Sequence, residues 1–322
     1  MPNPEPEAVE LDFTGAERVR DLLENLSTVA ATGEFLWAAG DEGRTVECLK
    51  AIGDQFQLCQ QVKLDAVLTD LPGSEKDEND IESIDIAKGR LWLCSSHARV
   101  RRKPKRDGEL DPSFFLRPSQ CLFGSIELTG HGGELLESGQ TLPFAGTGSL
   151  RNLLSGDDYL ASFAPLPSKE NGLDIEGMAV IDGRAFFGLR GPLIDGHAVV
   201  VEVAVAAGLS LDNRAYHLHF LDLGGLGIRD LARIADNDLL VLAGPVGRES
   251  GPYHISQWTP QRTVKIQSPG PLILDDWTEG DEKPEGMCCL ERDGTAGLLI
   301  VYDSPDKRRI NGTVYQADWF PL

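Results

Sequence analysis

Glutamate and arginine side chains recur at one fixed place of a repeated pattern, and that place is where chemistry is expected. Glu82, Glu176 and Glu285 each follow the leading apolar residue of a copy; Arg229 holds the same place in another copy and Ser27 in a weaker one. Asp80, Asp174 and Asp230 stand one or two residues away. Carboxylates that converge with too few cations repel, so either some keep their protons or a cation is bound. Hard oxygen donors of this kind suit Ca²⁺ or Mg²⁺. Glu82, Glu176 and Glu285 are therefore the candidate metal ligands, with Glu176 and Glu285 also the candidates for catalysis. Asp174, Arg190, Arg229 and Asp303 are the candidate ligand-binding residues. A metal held there would polarise an ester or phosphate and acidify a bound water. The same residues also admit a structural reading, in which Arg190 and Arg229 pair with the glutamates and pin neighbouring segments together.

Other motifs are weaker. EKDENDIE (75–82) is acidic enough for a calcium loop but lacks the spacing and glycine of an EF-hand. GxSxG, GxxxxGK[ST] and HExxH do not occur. His217 and His219 share a strand face, with no carboxylate or cysteine close by in sequence. Ser95, Ser96 and Ser304 lie near strand ends, and none has an adjacent base in sequence.

The elements that must position these side chains are short strands. DIESIDIAKGRLWLCSSHA (80–98), DIEGMAVIDGRAFFGLRGP (174–192), GIRDLARIADNDLLVLAGP (227–245) and PEGMCCLERDGTAGLLIVYDSP (284–305) share one design. NLSTVAATGEFLWAAGDE (25–42) is a weaker copy. In each, two alternating apolar runs flank a Gly or Asn/Asp turn, which marks a β-hairpin. One or two further strand-like runs follow most copies. Four strands per unit, with steps of 55, 94, 53 and 56 residues between Ser27, Glu82, Glu176, Arg229 and Glu285, predict a β-propeller. Five blades are expected, with six as the alternative because the long step could hold a degenerate blade.

The expected organisation is one all-β domain over 1–322, with a basic loop insertion at about 99–118 and a short helical insertion at about 149–163. The last copy has only three strands, so AVELDF (8–13) is expected to pair with TVYQADWF (313–320) and close the ring. First strands of propeller blades line the central channel, which brings the repeated Glu/Arg position to one mouth. The ends of the second strands, Asp41, His97, Arg190 and Asp303, are expected at the opposite end.

Charge narrows the partners. Lys+Arg is 30 against 51 Asp+Glu, a net charge of −21. A surface so acidic disfavours nucleic acid and anionic membrane. One run is basic: Arg99, Arg101, Arg102, Lys103, Lys105 and Arg106. It reads as a solvated loop whose charges pair loosely with the acidic stretch Asp70–Asp80, the alternative being a docking patch. The six cysteines form no CxxC pair, and Met1–Glu10 is acidic and proline-rich rather than signal-like. Reduced thiols and a cytoplasmic location are expected.

NGLDIEGMAVIDGRAFFGLRGPLIDGHAVVVEV (171–203), IRDLARIADNDLLVLAGPV (228–246) and PEGMCCLERDGTAGLLIVYDSP together resemble the bacterial family known as domain of unknown function 3616, over about Ser27–Tyr315. The resemblance implies a β-propeller and carries no established activity. The Glu-Gly-apolar step is more distantly similar to phytase-like and lactonase-like propellers, where a channel glutamate can ligate a divalent cation. Glu176-Gly177 and Glu285-Gly286 match that step; Glu82 is followed by Ser83, and Arg229 departs from it.

Two readings follow. One is a propeller that binds a divalent cation (Ca²⁺ or Mg²⁺) and a small ligand at the channel mouth, with metal-assisted hydrolysis as its chemistry. The other is a non-catalytic interaction scaffold whose channel charges are an ion-pair network. Fold alone does not choose between them.

Overall fold

The computed structural model describes residues 3–102, 104–105, 108–130, 133–205, 209–278 and 280–322. In chain order, β1 (Glu7–Asp12) and helix α1 (Val19–Glu24) precede a meander of β2 (Leu26–Thr32), β3 (Phe35–Gly40), β4 (Thr45–Ile52) and β5 (Gln55–Lys63). A single turn, α2 (Leu64–Val67), leads to β6 (Ile81–Ala87) and β7 (Arg90–Ser95). A small ribbon of β8 (Arg99–Arg101) and β9 (Phe114–Leu116) interrupts before β10 (Phe123–Thr129) and β11 (Leu135–Thr141). After helix α3 (Leu150–Ser155) come β12 (Asp174–Ile181), β13 (Arg184–Gly191), β14 (Ala198–Val205) and β15 (Leu211–Leu221). Then follow β16 (Gly227–Arg233), β17 (Leu239–Gly244), β18 (His254–Trp258) and β19 (Leu272–Asp275). The chain ends with β20 (Lys283–Arg292), β21 (Thr295–Asp303), β22 (Ile310–Asn311) and β23 (Val314–Pro321).

These strands form an all-β propeller. Three sheets have the orders β6-β7-β10-β11, β12-β13-β14-β15 and β16-β17-β18-β19. A longer path runs β2-β3-β4-β5-β1-β23-β21-β20, in which β1 is the splice. It is antiparallel to β23 from Glu7 opposite Trp319 to Asp12 opposite Val314, and parallel to β5 at Leu11 and Phe56. The first strands form a closed ring of neighbours, β2, β6, β12, β16, β20 and back to β2.

Local sequence explains the hairpins. Lys88-Gly89, Asp182-Gly183 and Asp293-Gly294 all have positive φ, the pair of conformations a two-residue turn needs to match strand twist. The core lies between sheets rather than at one centre. Trp92 and Phe123 pack on Met178 and Phe187, and Val200 and Phe186 on Ile228 and Val241. Leu36 and Leu49 pack with Leu299 and Trp319 across the splice. Alternating apolar residues on both faces of each sheet therefore serve two interfaces.

The inner strands are tied by side-chain oxygens of one position. Thr28 Oγ1 accepts the Ile84 amide at 3.0 Å, Ser83 Oγ the Met178 amide at 2.9 Å, and an Asp230 oxygen the Met287 amide at 2.8 Å. Gly177 and Gly286 hold this position in the other two strands. A Cβ at Gly177 would lie 2.7 Å from the Asp230 backbone, and one at Gly286 2.7 Å from the Ser27 carbonyl oxygen, so only glycine allows that approach. No helix among the described residues is long and apolar enough to cross a membrane.

The first part of the basic run forms a short ribbon. Residues 99–101 pair with 114–116. Arg101 ion-pairs with Glu170 and stacks on Phe114 at 5.5 Å, and Arg117 lies 3.9 Å from Glu78. Among the described residues of the run, Lys105 also pairs with Glu109 at 3.0 Å. Lys103 and Arg106 are outside the described residues.

Candidate functional site

Each inner strand carries a β-bulge, and the bulged residue is the repeated site residue. The pairing register skips one residue between Leu26 and Thr28, Ile81 and Ser83, Ile175 and Gly177, Ile228 and Asp230, and Pro284 and Gly286. The residues skipped are Ser27, Glu82, Glu176, Arg229 and Glu285. A bulge re-aims a side chain out of the ladder. Glu82, Glu176, Arg229 and Glu285 accordingly line one cavity of about 630 Å³.

Asp41, Asp80, Asp174, Arg190 and Asp303 line the same cavity. This corrects the expectation that the second strands end at the opposite mouth. In an antiparallel hairpin the end of the second strand lies beside the start of the first, as Asp174 opposite Gly191 and Lys283 opposite Asp303 show. His97 is buried away from the cavity with its Nε2 3.2 Å from the Leu122 carbonyl oxygen. Burial, with Arg151 nearby, holds it neutral and pulls its pKa down to about 3.

The cavity has two electrostatic sides. On one, Arg190 bridges Asp174 at 2.6 Å and Glu176 at 2.5 Å. Arg229 reaches the other Glu176 oxygen at 2.7 Å and also pairs with Glu285. Two of the three glutamates predicted as metal ligands are thus occupied by guanidinium groups. Among the described residues, no group of three or more His, Cys, Asp or Glu side chains is arranged to hold a metal ion.

The other side holds Asp41, Asp80 and Glu82. No lysine or arginine among the described residues forms an ion pair with any of them, and one Asp41 oxygen is buried without a hydrogen-bond partner. Burial, with Asp80 and Asp303 close by, pushes the Asp41 carboxyl up to about 8. Burial also raises Asp80, to about 6, although the Ser96 hydroxyl donates to it. Glu82 is driven well above the usual range by burial, then by Asp80, Glu176, Asp41 and Asp174. On the paired side burial takes Asp174 up to about 7 despite Arg190.

Sequence reasoning missed Tyr253, Ser168, Lys169, Arg248 and Lys283, which also line the cavity. All but Lys283 lie on loops between strands or beyond the hairpin, where the repeat gives no register. The one available signal was position: Lys283 sits two residues before Glu285, as Asp80 and Asp174 sit before Glu82 and Glu176. His219, by contrast, has its carboxylate partner across the sheet, Glu202 at 2.9 Å.

No curated protein matches the chain. Among solved structures it is similar to a glutaminyl cyclase from Myxococcus xanthus (10% identity, 99% of each chain covered, TM-score 0.43). It is also similar to a GH43_1 enzyme from Xanthomonas citri complexed with xylose (9% identity, 92% of this chain and 87% of that one, TM-score 0.48). A PQQ-bound aldose sugar dehydrogenase from Streptomyces coelicolor gives 10% identity, 99% and 100% coverage and a TM-score of 0.41. Likenesses at these scores carry no functional argument. The family whose profile matches residues 25–113 and 137–317 is described as Protein of unknown function (DUF3616). These matched segments span the repeated hairpins and all the bulged site residues, and the chain belongs to that family.

Proposed function

We propose that the ring is five-bladed and that its charged mouth binds a small polar ligand, with hydrolysis by general acid–base chemistry as the reaction. The observation that carries this is the set of Asp41, Asp80 and Glu82: three carboxyl groups in one cavity, unmatched by any ion-paired cation among the described residues. Carboxyls displaced to about 6 and about 8 exchange protons near neutral pH, which is what proton transfer to a leaving group or from a water requires. Arg190 and Arg229 hold Glu176 and Glu285 in fixed positions, making them orienting groups rather than metal ligands. In this reading Glu82 donates the proton, and Asp80, oriented by Ser96, accepts one.

A second reading places a divalent cation against Asp41, Asp80 and Glu82, which would have to draw closer together to ligate it. The unpartnered Asp41 oxygen favours it, because a cation would supply the missing counter-charge. Thermal melts with Ca²⁺ or Mg²⁺ against chelator separate the two. A cation near 100 times its dissociation constant would stabilise by about 2.7 kcal/mol, whereas acid–base chemistry without metal predicts a flat response. The proposed activity is tested with chromogenic glycosides, esters and phosphate esters. Turnover that falls at least about a hundredfold in Glu82→Gln supports it. Turnover unaffected by that change, or ordinary carboxyl pKa values throughout the mouth, overturns it.

A further inference from the structure

The cavity is layered as well as two-sided. Its inner wall is built by residues in or beside the inner hairpins and is mostly acidic, whereas the more exposed lining carries Lys169, Arg248 and Lys283 with one carboxylate, Glu249. These cations come from three separate places: the turn before β12, the loop after β17 and the first residue of β20. None of the three has a hydrogen-bonded or ion-paired partner among the described residues. Burial, then Arg190, Arg248 and Lys283, pulls the Lys169 ammonium below its usual range, so these cations are close enough to repel. Two of these cations lie on connections and one at the start of a strand, so no single element accounts for their meeting. Such an arrangement is stabilised by whatever anion enters it.

Resting on the proposal that the mouth is a ligand site, we propose that Lys169, Arg248 and Lys283 form an oxyanion seat and that the ligand carries a carboxylate or phosphate group. Two ammonium groups and a guanidinium lining one cavity suit an oxyanion with several acceptor oxygens. The anionic head would sit at the rim while hydroxyl or cationic parts reach inward to Asp41, Asp80 and Glu82. The seat also accounts for access. In a chain of net charge −21, an anionic ligand is repelled by the bulk surface and needs a local positive entrance.

The full-length protein is titrated with inorganic phosphate and, separately, with glucuronate, each against potassium chloride at equal ionic strength, and followed by calorimetry and thermal melting. Saturable binding of at least one is expected, weakened about tenfold or more in Lys169→Gln/Lys283→Gln and unchanged in Lys265→Gln. Binding of phosphate alone identifies a phosphate ester as the ligand class, and of glucuronate alone a carboxylate. The assignment is overturned if neither anion exceeds the chloride control, or if the double variant binds as wild type. Should the double variant not fold, Arg248→Gln alone must show the loss. The result is independent of the acid–base reading. Carboxyls titrating near neutrality without anion binding overturn the seat alone; anion binding with every carboxyl titrating in the ordinary range overturns the acid–base chemistry alone.

Discussion

Glu202 on β14 and Asp41 in the channel mouth are both carboxyl groups withdrawn from water, and they meet opposite fates. Glu202 is 1% exposed. It accepts hydrogen bonds from His219 at 2.9 Å, Arg184 at 2.9 Å and Arg262 at 2.8 Å. Burial by itself would raise its pKa, but the bonds from His219 and Arg262 outweigh it and bring the value down to about 2. Asp41, pushed up by burial and then by Asp80 and Asp303, has only the Glu42 amide donating against them and rises to about 8. Burial pushes both carboxyls up; the supply of donors brings only Glu202 back down. A satisfied carboxylate holds a sheet together, while an unsatisfied one costs stability and persists where something else is to be bound.

The strongest way to break this contrast is to make the paired side of the mouth resemble the unpaired one. Arg229→Gln leaves half-buried Glu285 without an ion-paired cation and buried Glu176 with Arg190 alone. A loss of about 3–5 kcal/mol is expected in denaturant unfolding. A change below about 1 kcal/mol would mean that solvent already screens the network.

Glu202→Gln tests the satisfied pole, with an expected loss of about 1.5–3 kcal/mol at neutral pH. Because the folded-state value is depressed, its contribution is present above the unfolded value of 4.5 and is lost as pH falls toward about 2. The gap between wild type and variant in melts run down through that window should therefore close. A gap that stays constant contradicts the assignment.

Asp41→Asn should act with the opposite sign. A raised pKa contributes stability below the unfolded value of 3.8 and loses it as pH rises through about 8. The variant should match wild type in acid and gain on it steadily as pH rises from about 4 to about 8, by at least about 1 kcal/mol or roughly 2–4 degrees in melting temperature. Equal melting across the range would show that Asp41 is ionised and solvated.

The smallest effect is expected at the ribbon. Arg101→Gln breaks an exposed pair with Glu170 and should cost no more than about 0.5 kcal/mol. A larger loss would show that the ribbon supports the rim through Val100, which lines the cavity.

Much of this was legible in the sequence because the repeat is a packing repeat. Alternating runs around Lys88-Gly89, Asp182-Gly183 and Asp293-Gly294 specify hairpins, and the three-strand last copy pointed to β1 pairing with β23. The equivalence of Glu82, Glu176, Arg229 and Glu285 was visible too. The bulge that aims them was not, since a skipped register leaves no residue signature of its own. The end of the channel at which Arg190 and Asp303 lie follows from hairpin geometry, and was missed by following each strand alone. Lys169, Arg248 and Tyr253 come from connections whose paths depend on tertiary packing, so nothing in their neighbours' periodicity announced them.

The central claim is that the mouth keeps carboxyl groups that carry protons near neutral pH. Carbon-detected NMR titration of protein labelled at aspartate and glutamate side-chain carboxyls tests it most directly, with Asp41→Asn and Glu82→Gln for assignment. The account predicts resonances still titrating between the values of about 6 for Asp80 and about 8 for Asp41, with the Asp41 signal absent from Asp41→Asn and the Glu82 signal, which titrates above the ordinary range, absent from Glu82→Gln. A wild-type spectrum in which every carboxyl has finished titrating by about pH 5, the ordinary carboxylate range, would contradict it.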